Sequence, residues 1–504
     1  MPNPILARLI DELGDAVSTE ASDLRAARED RSGLVSPATP LAIVRATSVA
    51  DVQSTLRLAS ASGTPVVPRG AGTGLAGGGV ASEGAIVLDV SGMRRVLEID
   101  EANELAVVEA GVINGDLNAA LAPLGLWFAP DPASRAISSI GGNIATNAGG
   151  LLCAKYGVTR EAVLGLAVVL ADGRLLRTGH RTVKGVTGYD LTALLTGSEG
   201  TLGVIVEATV RLRPMPAGEP VTVAAVFPDV TAAAVASARV TAARLRPAVL
   251  ELIDAAGLAR VVEYLASGAL DGGARDGGSH DGGTVDGSAV ADRLAGTPLD
   301  RLEAGEAFLL AQADGTGAAE EAAAIAAILA DAGGRVTTST DAATGERLLE
   351  IRRSMHPALA ARGRVLIEDV AVPRSRLPEM FRAIERIGAK HCLEIPTLAH
   401  AGDGNLHPNF VFDEPAPGEP DVPLHVWSAA DELFRAAVAL GGTLTGEHGV
   451  GVLKRRWLRD ELGDDQWELQ RSIKAVFDPA GILNPAVMFE PDEPAHSPAV
   501  GRDR

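Results

Sequence analysis

The order of apolar and polar positions along the first 214 residues predicts short strands interspersed with helices. Short apolar runs alternate with segments in which apolar residues recur at helical spacing. The predicted strands are 41–46, 65–68, 85–90, 96–100 and 104–110, and the predicted helices are 5–17, 49–62 and 112–124. Pro214 and Pro216 end the pattern, because proline lacks the backbone N–H that a helix or a strand would use for its next hydrogen bond. We therefore expect an α+β domain over residues 1–214.

A second domain is expected over residues 215–470, since a chain of 504 residues is too long for a single core. Its pattern predicts strands and helices, namely strands at 221–227 and 307–311 and helices at 231–244, 317–332 and 344–361. Between them, an Asp-Gly pair recurs every five residues from Asp271 to Asp286. That period does not match the nine-residue calcium repeat, so 268–290 is expected to be a flexible surface insertion. Residues 491–504 are expected to be a disordered tail.

Charge and cysteine content exclude several classes of function. The formal net charge of −20 disfavours both nucleic acid and an anionic membrane surface as partners. The two cysteines, Cys153 and Cys392, cannot supply a thiolate iron–sulfur or zinc site. The N-terminus does not have the pattern of a signal peptide, and no apolar run reaches the ~20 residues that span a bilayer. We expect a cytoplasmic protein, with peripheral attachment to the inner face of the membrane as an alternative.

A glycine-rich loop follows the third predicted strand. Gly72-Thr-Gly74-Leu-Ala-Gly77 has the G-x-G-x-x-G spacing of a nicotinamide-dinucleotide site. In such a site a helix follows the glycines and its N-terminus receives the pyrophosphate. Here the next predicted element is the strand 85–90, so we do not expect a Rossmann turn. The backbone N–H groups of such a loop can still surround a pyrophosphate.

Two further clusters of small residues occur downstream, at 138–150 and 197–203. Three loops without bulky side chains allow backbone to approach a large planar ligand from several sides. Pro-Arg69-Gly70-Ala-Gly72-Thr-Gly74, the Ser-Ile-Gly-Gly-Asn sequence of the second cluster, Lys155-Tyr156-Gly157 and the run from Gly188 to Gly203 resemble the FAD domain of the vanillyl-alcohol-oxidase-type flavoproteins. Within that family the chain is similar to the branch of the glycolate oxidase FAD subunit and D-lactate dehydrogenase.

The resemblance implies a two-part FAD-binding domain of the vanillyl-alcohol-oxidase type, followed by an α+β substrate (cap) domain with an antiparallel sheet. Residues 471–490 would return to the flavin. Relatives with covalent FAD carry a histidine in the first loop, where this chain has Ala71 and Thr73, so non-covalent FAD is expected. The implied FAD contacts are Arg69, Gly70, Ala71, Gly72, Thr73, Gly74, Pro132, Ser138, Ser139, Gly142, Asn143, Thr146, Ile205 and Asn484.

Histidines and a carboxylate occur in two glycine-punctuated motifs, His400-Ala-Gly-Asp-Gly-Asn-Leu-His407 and Gly446-Glu447-His448-Gly449. By themselves these are either hydrogen-bonded loop histidines or ligands of a divalent metal. The resemblance favours the second interpretation, with His400, His407 and Glu447 as ligands of zinc or manganese.

The same resemblance implies catalytic roles for three further residues. Arg352 would bind the substrate carboxylate, because a guanidinium donates two parallel hydrogen bonds to it. His448 would act as the base, and Asn409 would lie beside them. Arg353 is expected to be solvated, and His356 is expected on the helix face of Arg352.

The resemblance thus implies FAD-dependent oxidation of a small D-2-hydroxy acid, glycolate or D-lactate, to the 2-oxo acid. A lysine of relatives that act on D-2-hydroxyglutarate is replaced by Ile367, which favours a small or apolar monocarboxylate. Electrons would pass to an external acceptor: a quinone, a cytochrome, an electron-transfer flavoprotein or an iron–sulfur subunit. Two alternatives are an alkylglycerone-phosphate-synthase-like flavoenzyme and a flavin electron-transfer subunit without its own substrate site.

Overall fold

The computed structural model describes residues 4–267, 297, 299–414 and 421–489. The predicted insertion at 268–290 and the predicted tail at 491–504 lie outside these residues. Among the helices that are described, none is both long enough and apolar enough to cross a membrane.

The first region combines a partly parallel sheet with an antiparallel one. Its strands are β1 (Val17–Ser18), β2 (Ala42–Arg45), β3 (Val66–Arg69), β4 (Ile86–Asp89), β5 (Val96–Asp100), β6 (Leu105–Glu109), β7 (Leu126–Trp127), β8 (Val163–Val169), β9 (Leu175–Gly179), β10 (Val204–Arg211) and β11 (Arg213–Pro214). The first sheet has the order β1-β2-β4-β3, and the second has the order β5-β6-β10-β8-β9. The short strands β7 and β11 pair with each other.

The helices of this region cover the two sheets. They are α1 (Pro4–Leu13), α2 (Ala21–Ala26), α3 (Val49–Ser62), α4 (Asn114–Leu121), α5 (Ile140–Thr146), α6 (Cys153–Tyr156), α7 (Thr159–Ala162) and α8 (Leu191–Leu195). Helix α3 has the predicted bounds because Ser48 and Asp51 form a capping box at its start and Gly63, at φ +66°, ends it. Its apolar face, with Val52 and Leu56, packs into the core of this region.

The second region is built on an eight-stranded sheet in which all the pairings are antiparallel. Its strands are β12 (Val221–Phe227), β13 (Val249–Ile253), β14 (Ala307–Ala313), β15 (Arg335–Ser339), β16 (Arg364–Ile367), β17 (Val370–Ala371), β18 (Thr397–His400) and β19 (Asn405–Phe412). The order is β15-β12-β14-β13-β18-β19-β16, and β17 also pairs with β19. The predicted antiparallel sheet of the cap domain is therefore confirmed.

The two faces of this sheet pack against different helices. These helices are α9 (Val230–Ala242), α10 (Ala255–Ala266), α11 (Ala318–Asp331), α12 (Ala342–Arg353), α13 (Met355–Ala360), α14 (Leu377–His391), α15 (Leu424–Ala439) and α16 (Arg455–Phe477). One face, with Leu250 and Leu252, belongs to the large core formed with α9, α11, α14 and α15. The other face, with Val249 and Leu398, packs against α10, α12 and α13.

Two predicted helices differ from the structure. The helix predicted at 5–17 ends at Leu13, because Gly14 adopts φ +54° and a 3₁₀ turn follows. The helix predicted at 344–361 is two helices, α12 and α13, which are separated at Ser354. Pro357 explains the break, since it lacks the N–H that would bond to the carbonyl of Arg353.

Residues near the C-terminus pack against the first region. The backbone N–H of Asn484 donates to the carbonyl of Val66 (2.8 Å), and Val66 donates to the carbonyl of Ile482 (2.8 Å). Ile482 and Leu483 are buried in the core of that region. The domain limits at residues 214 and 470 stay predictions.

Candidate active site

A cavity of about 750 Å³ lies between the glycine-rich loops of the first region and the eight-stranded sheet of the second. This volume is in the range of sites that take large organic ligands. Its walls include the three predicted glycine clusters on one side and Arg352, His400, His407, Asn409, Glu447 and His448 on the other. The fold therefore brings the predicted flavin loops and the predicted catalytic residues to one cavity.

The first glycine loop connects the parallel neighbours β3 and β4 without a helix, as predicted. The side chain of Arg69 donates to the carbonyl of Gly79 (3.2 Å), and Asp30 accepts from the N–H of Gly79 (3.2 Å). These contacts fix the two ends of the loop. A Cβ at Gly70 would lie 2.5 Å from Oγ of Ser139, so this position leaves room only for backbone.

The second glycine cluster, 138–150, contains the whole of α5, with Gly141 and Gly142 in its first turn. Ser139 caps this helix and accepts from the N–H of Gly142 (3.3 Å). Among the described residues, Oγ of Ser138 and Nδ2 of Asn143 are buried and have no hydrogen-bond partner. Buried polar atoms normally have partners, and Asn143 borders the cavity, so its amide is suited to a bound ligand. With the first loop, in which a Cβ at Gly70 has no room, this amide fits a dinucleotide such as FAD.

The predicted flavin contacts, taken together, divide into those that border the cavity and those that do not. Those that border the cavity are Arg69, Gly70, Ala71, Gly72, Thr73, Gly74, Pro132, Ser139, Gly142, Asn143, Thr146 and Ile205. Ser138 and Asn484 do not border it. The amide of Asn484 donates to the carbonyls of Gly78 (2.9 Å) and Glu199 (2.8 Å). Asn484 therefore connects two of the loops that border the cavity.

The motif from His400 to His407 is a β-hairpin. His400 is the last residue of β18, a four-residue turn follows, and His407 lies in β19. The two rings meet edge to face with centroids 5.1 Å apart. Asn409 is on the same face of β19 as His407 because side chains alternate along a strand. Its amide donates to the carbonyls of Pro396 (3.0 Å) and His407 (2.7 Å).

Glu447 and His448 lie in the loop between α15 and α16. Oε1 of Glu447 faces the Nε2 atoms of three histidines, at 3.1 Å from His407, 3.6 Å from His400 and 3.8 Å from His448. The rings of His407 and His448 are stacked with centroids 5.0 Å apart. A Cβ at Gly149 would lie 2.5 Å from Oε2 of Glu447, so the glycine permits the close approach of this carboxylate.

We call these four side chains, His400, His407, Glu447 and His448, the histidine–glutamate cluster. Burial would raise the pKa of Glu447, but hydrogen bonds with His400 and His407 hold it well below its usual value. Burial would likewise lower the pKa of His400, but the carboxylates of Glu251 and Glu447 raise it well above 6.5. For His448 burial prevails and lowers the pKa to about 4.

The donor set of this cluster fits a divalent cation. His400, His407 and Glu447 each offer a ligand atom, and these atoms lie within 4.8 Å of one another. Imidazole and carboxylate together are typical ligands of zinc and manganese. A second group with the same spacing is formed by Asp369, His407 and His448. The first group is the predicted one.

Arg352 reaches the cavity from the end of α12. Its Nε donates to Oε2 of Glu251 (2.7 Å), and its Nη2 is 3.5 Å from Nε2 of His400. Arg353 also borders the cavity, but it is exposed and pairs with Glu346. His356 borders the cavity from α13, beyond the helix break, and therefore does not share one continuous helix face with Arg352.

Sequence reasoning missed several buried charged residues behind the cluster. Glu251 accepts from Nδ1 of His400, and Asp369 accepts from the N–H groups of Glu447 (3.1 Å) and His448 (3.0 Å). Lys454 donates to the carbonyl of Asp369 (2.9 Å). Glu199 accepts from two N–H groups just beyond the cluster, those of Val450 and Gly451. The available signal was a charge within an apolar run, as in Val-Leu-Glu251-Leu-Ile.

The glycine-loop cradle defines the chain as a flavoprotein, and comparison with known families agrees. Residues 40–179 match the FAD binding domain model, and residues 219–488 match the model of the C-terminal domain of FAD linked oxidases. The chain belongs to the family of FAD-linked oxidases and is an FAD-linked oxidoreductase. The predicted resemblance to this family is confirmed.

The relatives have similar lengths. The chain is 38% identical over 458 residues to the glycolate oxidase subunit GlcD of Bacillus subtilis, covering 90% of this chain and 90% of that one. It is 35% identical over 480 residues to D-lactate dehydrogenase of Archaeoglobus fulgidus, covering 94% of this chain and 98% of that one.

Solved structures support the fold. p-Cresol methylhydroxylase superposes with a TM-score of 0.73 at 19% identity, over 96% of each chain. Alkyldihydroxyacetonephosphate synthase superposes with a TM-score of 0.71 at 17% identity, over 96% of this chain and 85% of that one. At these identities the likeness shows the fold alone.

Proposed function

We propose that this protein oxidises a small D-2-hydroxy acid, glycolate or D-lactate, to the corresponding 2-oxo acid and passes the electrons to an external acceptor. The observation that carries the proposal is the single cavity that joins the glycine loops to Arg352 and the histidine–glutamate cluster. The names of the two relatives, glycolate oxidase subunit and D-lactate dehydrogenase, support this class of substrate.

Arg352 is proposed to bind the substrate carboxylate. A guanidinium has five N–H donors, and the bond to Glu251 uses only the one on Nε. Two parallel hydrogen bonds from Arg352 would fix the α-carbon of the acid. Val249, Leu349, Leu398 and Ile367 also border the cavity. Because these side chains are apolar, we propose a monocarboxylate with a short or apolar side chain.

His448 is proposed to accept the proton of the substrate hydroxyl. With its pKa lowered to about 4, the imidazole is neutral near pH 7 and can accept a proton. His400, His407 and Glu447 would hold a divalent cation, which supplies positive charge that makes a nearby hydroxyl more acidic. Asn409, whose amide is fixed by two backbone carbonyls, would border the substrate.

FAD would be held by the loop from Arg69 to Gly79, by α5 and by the loop at 197–203. When bound, it supplies the two-electron chemistry as the acceptor of a hydride at N5. Loss of the hydroxyl proton to His448 and of the α-hydrogen as hydride converts the alcohol into a ketone or aldehyde. Reoxidation by a quinone, cytochrome, electron-transfer flavoprotein or iron–sulfur subunit would complete the cycle.

The test is anaerobic addition of D-lactate or glycolate to the FAD-loaded protein, with L-lactate as the control. We expect the flavin absorption at about 450 nm to bleach with D-lactate or glycolate. An alkylglycerone-phosphate-synthase-like enzyme catalyses no net oxidation, and an electron-transfer subunit lacks a substrate site. An unchanged spectrum with a panel of D-2-hydroxy acids would therefore contradict the proposal.

Non-covalent attachment of FAD is proposed because Ala71 and Thr73 stand where relatives with covalent flavin carry a histidine. Acid precipitation should release the yellow cofactor into the supernatant. Flavin that stays with the precipitated polypeptide would show a covalent bond.

A further inference from the structure

A buried carboxylate lies directly behind the histidine–glutamate cluster. Glu251 is 1% exposed and sits in the middle of the apolar strand β13. Its neighbours Leu250 and Leu252 point to the opposite face of the sheet, into the large core. Burial of a carboxylate is costly unless it is paired and hydrogen-bonded, so this position calls for specific partners.

Both oxygens of Glu251 have such a partner, and each partner belongs to the candidate active site. Oε1 contacts Nδ1 of His400 at 2.7 Å, and Oε2 accepts from Nε of Arg352 at 2.7 Å. The first contact follows from the sheet, because Glu251 and His400 are directly opposed in the pairing of β13 with β18.

We propose that Glu251 is a positioning residue that sets the tautomer of His400 and balances the charge of Arg352, so that both can act at the cation site; this rests on the proposed function. A carboxylate at Nδ1 favours the tautomer with the proton on that atom. With a cation bound, Nε2, which is 3.6 Å from Oε1 of Glu447, would then offer its lone pair to that cation.

The bond to Arg352 has a separate consequence. Nη2 of Arg352 is only 3.5 Å from Nε2 of His400, so a guanidinium lies beside the atom that would bind a cation. Two positive charges at this separation repel each other strongly in a buried site. Glu251 contacts both Arg352 and His400, so its negative charge offsets that repulsion. Without the negative charge of Glu251, Arg352 would repel the cation that His400 would hold.

The test uses the full-length, FAD-loaded protein and the variant Glu251→Gln, which keeps the size of the side chain and removes its charge. Competition of Zn²⁺ with a chelator gives the dissociation constant. We expect about 10- to 100-fold weaker Zn²⁺ binding, the usual effect of losing a residue that orients a metal ligand. FAD content and melting temperature report whether the variant is folded.

Glu306→Gln is the matched control. Glu306 is also a buried carboxylate of the second region that pairs with an arginine, Arg335, but it is outside the cluster. We expect wild-type Zn²⁺ affinity for this variant. If Glu251→Gln does not fold, the double variant Glu251→Gln/Arg352→Gln removes the guanidinium together with its carboxylate. Only the effect on the tautomer of His400 then remains, so its Zn²⁺ affinity should fall by less.

Wild-type Zn²⁺ affinity in Glu251→Gln would overturn the role of Glu251 while leaving the proposed oxidation intact. Wild-type affinity in the double variant would overturn the effect of Glu251 on the tautomer of His400. Bleaching by a D-2-hydroxy acid tests that oxidation separately, in the wild type. A wild-type protein that binds no Zn²⁺ at the cluster would overturn both the proposed cation and the role of Glu251. Equal losses in Glu251→Gln and Glu306→Gln would show a general effect of buried charge and would also contradict the inference.

Discussion

The two sides of the cavity differ in the chemical groups that they present. The flavin side presents mainly backbone and small residues, such as the loop from Gly70 to Gly79, where a Cβ at Gly70 would lie 2.5 Å and one at Gly72 2.6 Å from a neighbouring side chain. The opposite side presents imidazole, carboxylate and guanidinium groups, which are held by further buried charges. The shape of the first side depends on glycines that let backbone approach closely. The geometry of the second side depends on contacts between buried side chains. Substitutions on the two sides should therefore separate loss of FAD from loss of the cation and of turnover.

The largest effect is expected from Glu447→Ala. Glu447 faces all three histidines of the cluster, so its removal takes away a ligand and the negative charge that balances the cation. Loss of several kcal/mol of charge stabilisation corresponds to about a 10⁴-fold lower rate of flavin reduction. Elemental analysis should show that metal is lost and FAD retained, and His400→Ala and His407→Ala should behave alike. Active wild-type protein without stoichiometric metal would contradict this prediction.

A smaller loss is expected from His448→Ala, because this residue is proposed to move a proton and is not one of the three predicted ligands. General base catalysis contributes about 10²–10⁴-fold, so we expect a reduction rate about 10³-fold lower. Stopped-flow absorbance of the flavin measures it. Metal and FAD should both be retained, which distinguishes this variant from Glu447→Ala. Reduction at the wild-type rate would remove His448 from the proposed mechanism.

The contrast between the two sides also explains what sequence reasoning could find. The glycine loop was predictable because its residues are contiguous and the strand after it, β4, excludes a Rossmann turn. The motif from His400 to His407 was also found, since it is a single hairpin. Glu251 was not, because it is 149 residues from His400 and meets it only through the register of β13 and β18. The break at Ser354 was predictable in principle from Pro357. The helical spacing of apolar residues across 344–361 nevertheless favoured one continuous helix.

Arg352→Lys tests the side of the cavity that presents functional side chains, without removing a member of the cluster. Lysine keeps the charge but loses the planar fork that binds a carboxylate at two points. Loss of a charged hydrogen bond costs about 1.5–3 kcal/mol, which is about 10- to 150-fold in kcat/KM for the hydroxy acid. The matched control is Arg353→Lys, since Arg353 is exposed and paired with Glu346. Equal kinetics of the two variants would place the substrate carboxylate elsewhere.

The smallest effect is expected where the two sides touch. Gly149 belongs to the second glycine cluster, yet a methyl group there would lie 2.5 Å from Oε2 of Glu447 and 3.0 Å from its Cβ. Contacts this short force the carboxylate to move, so Gly149→Ala should weaken Zn²⁺ binding about 10-fold, as displaced support of a ligand does. Gly317→Ala is the control, because its methyl group meets nothing within 4 Å. Chelator competition measures Zn²⁺ affinity, and flavin absorbance measures FAD content. Loss of FAD with wild-type Zn²⁺ affinity would show that Gly149 serves only the flavin side, and that the carboxylate of Glu447 adjusts without cost.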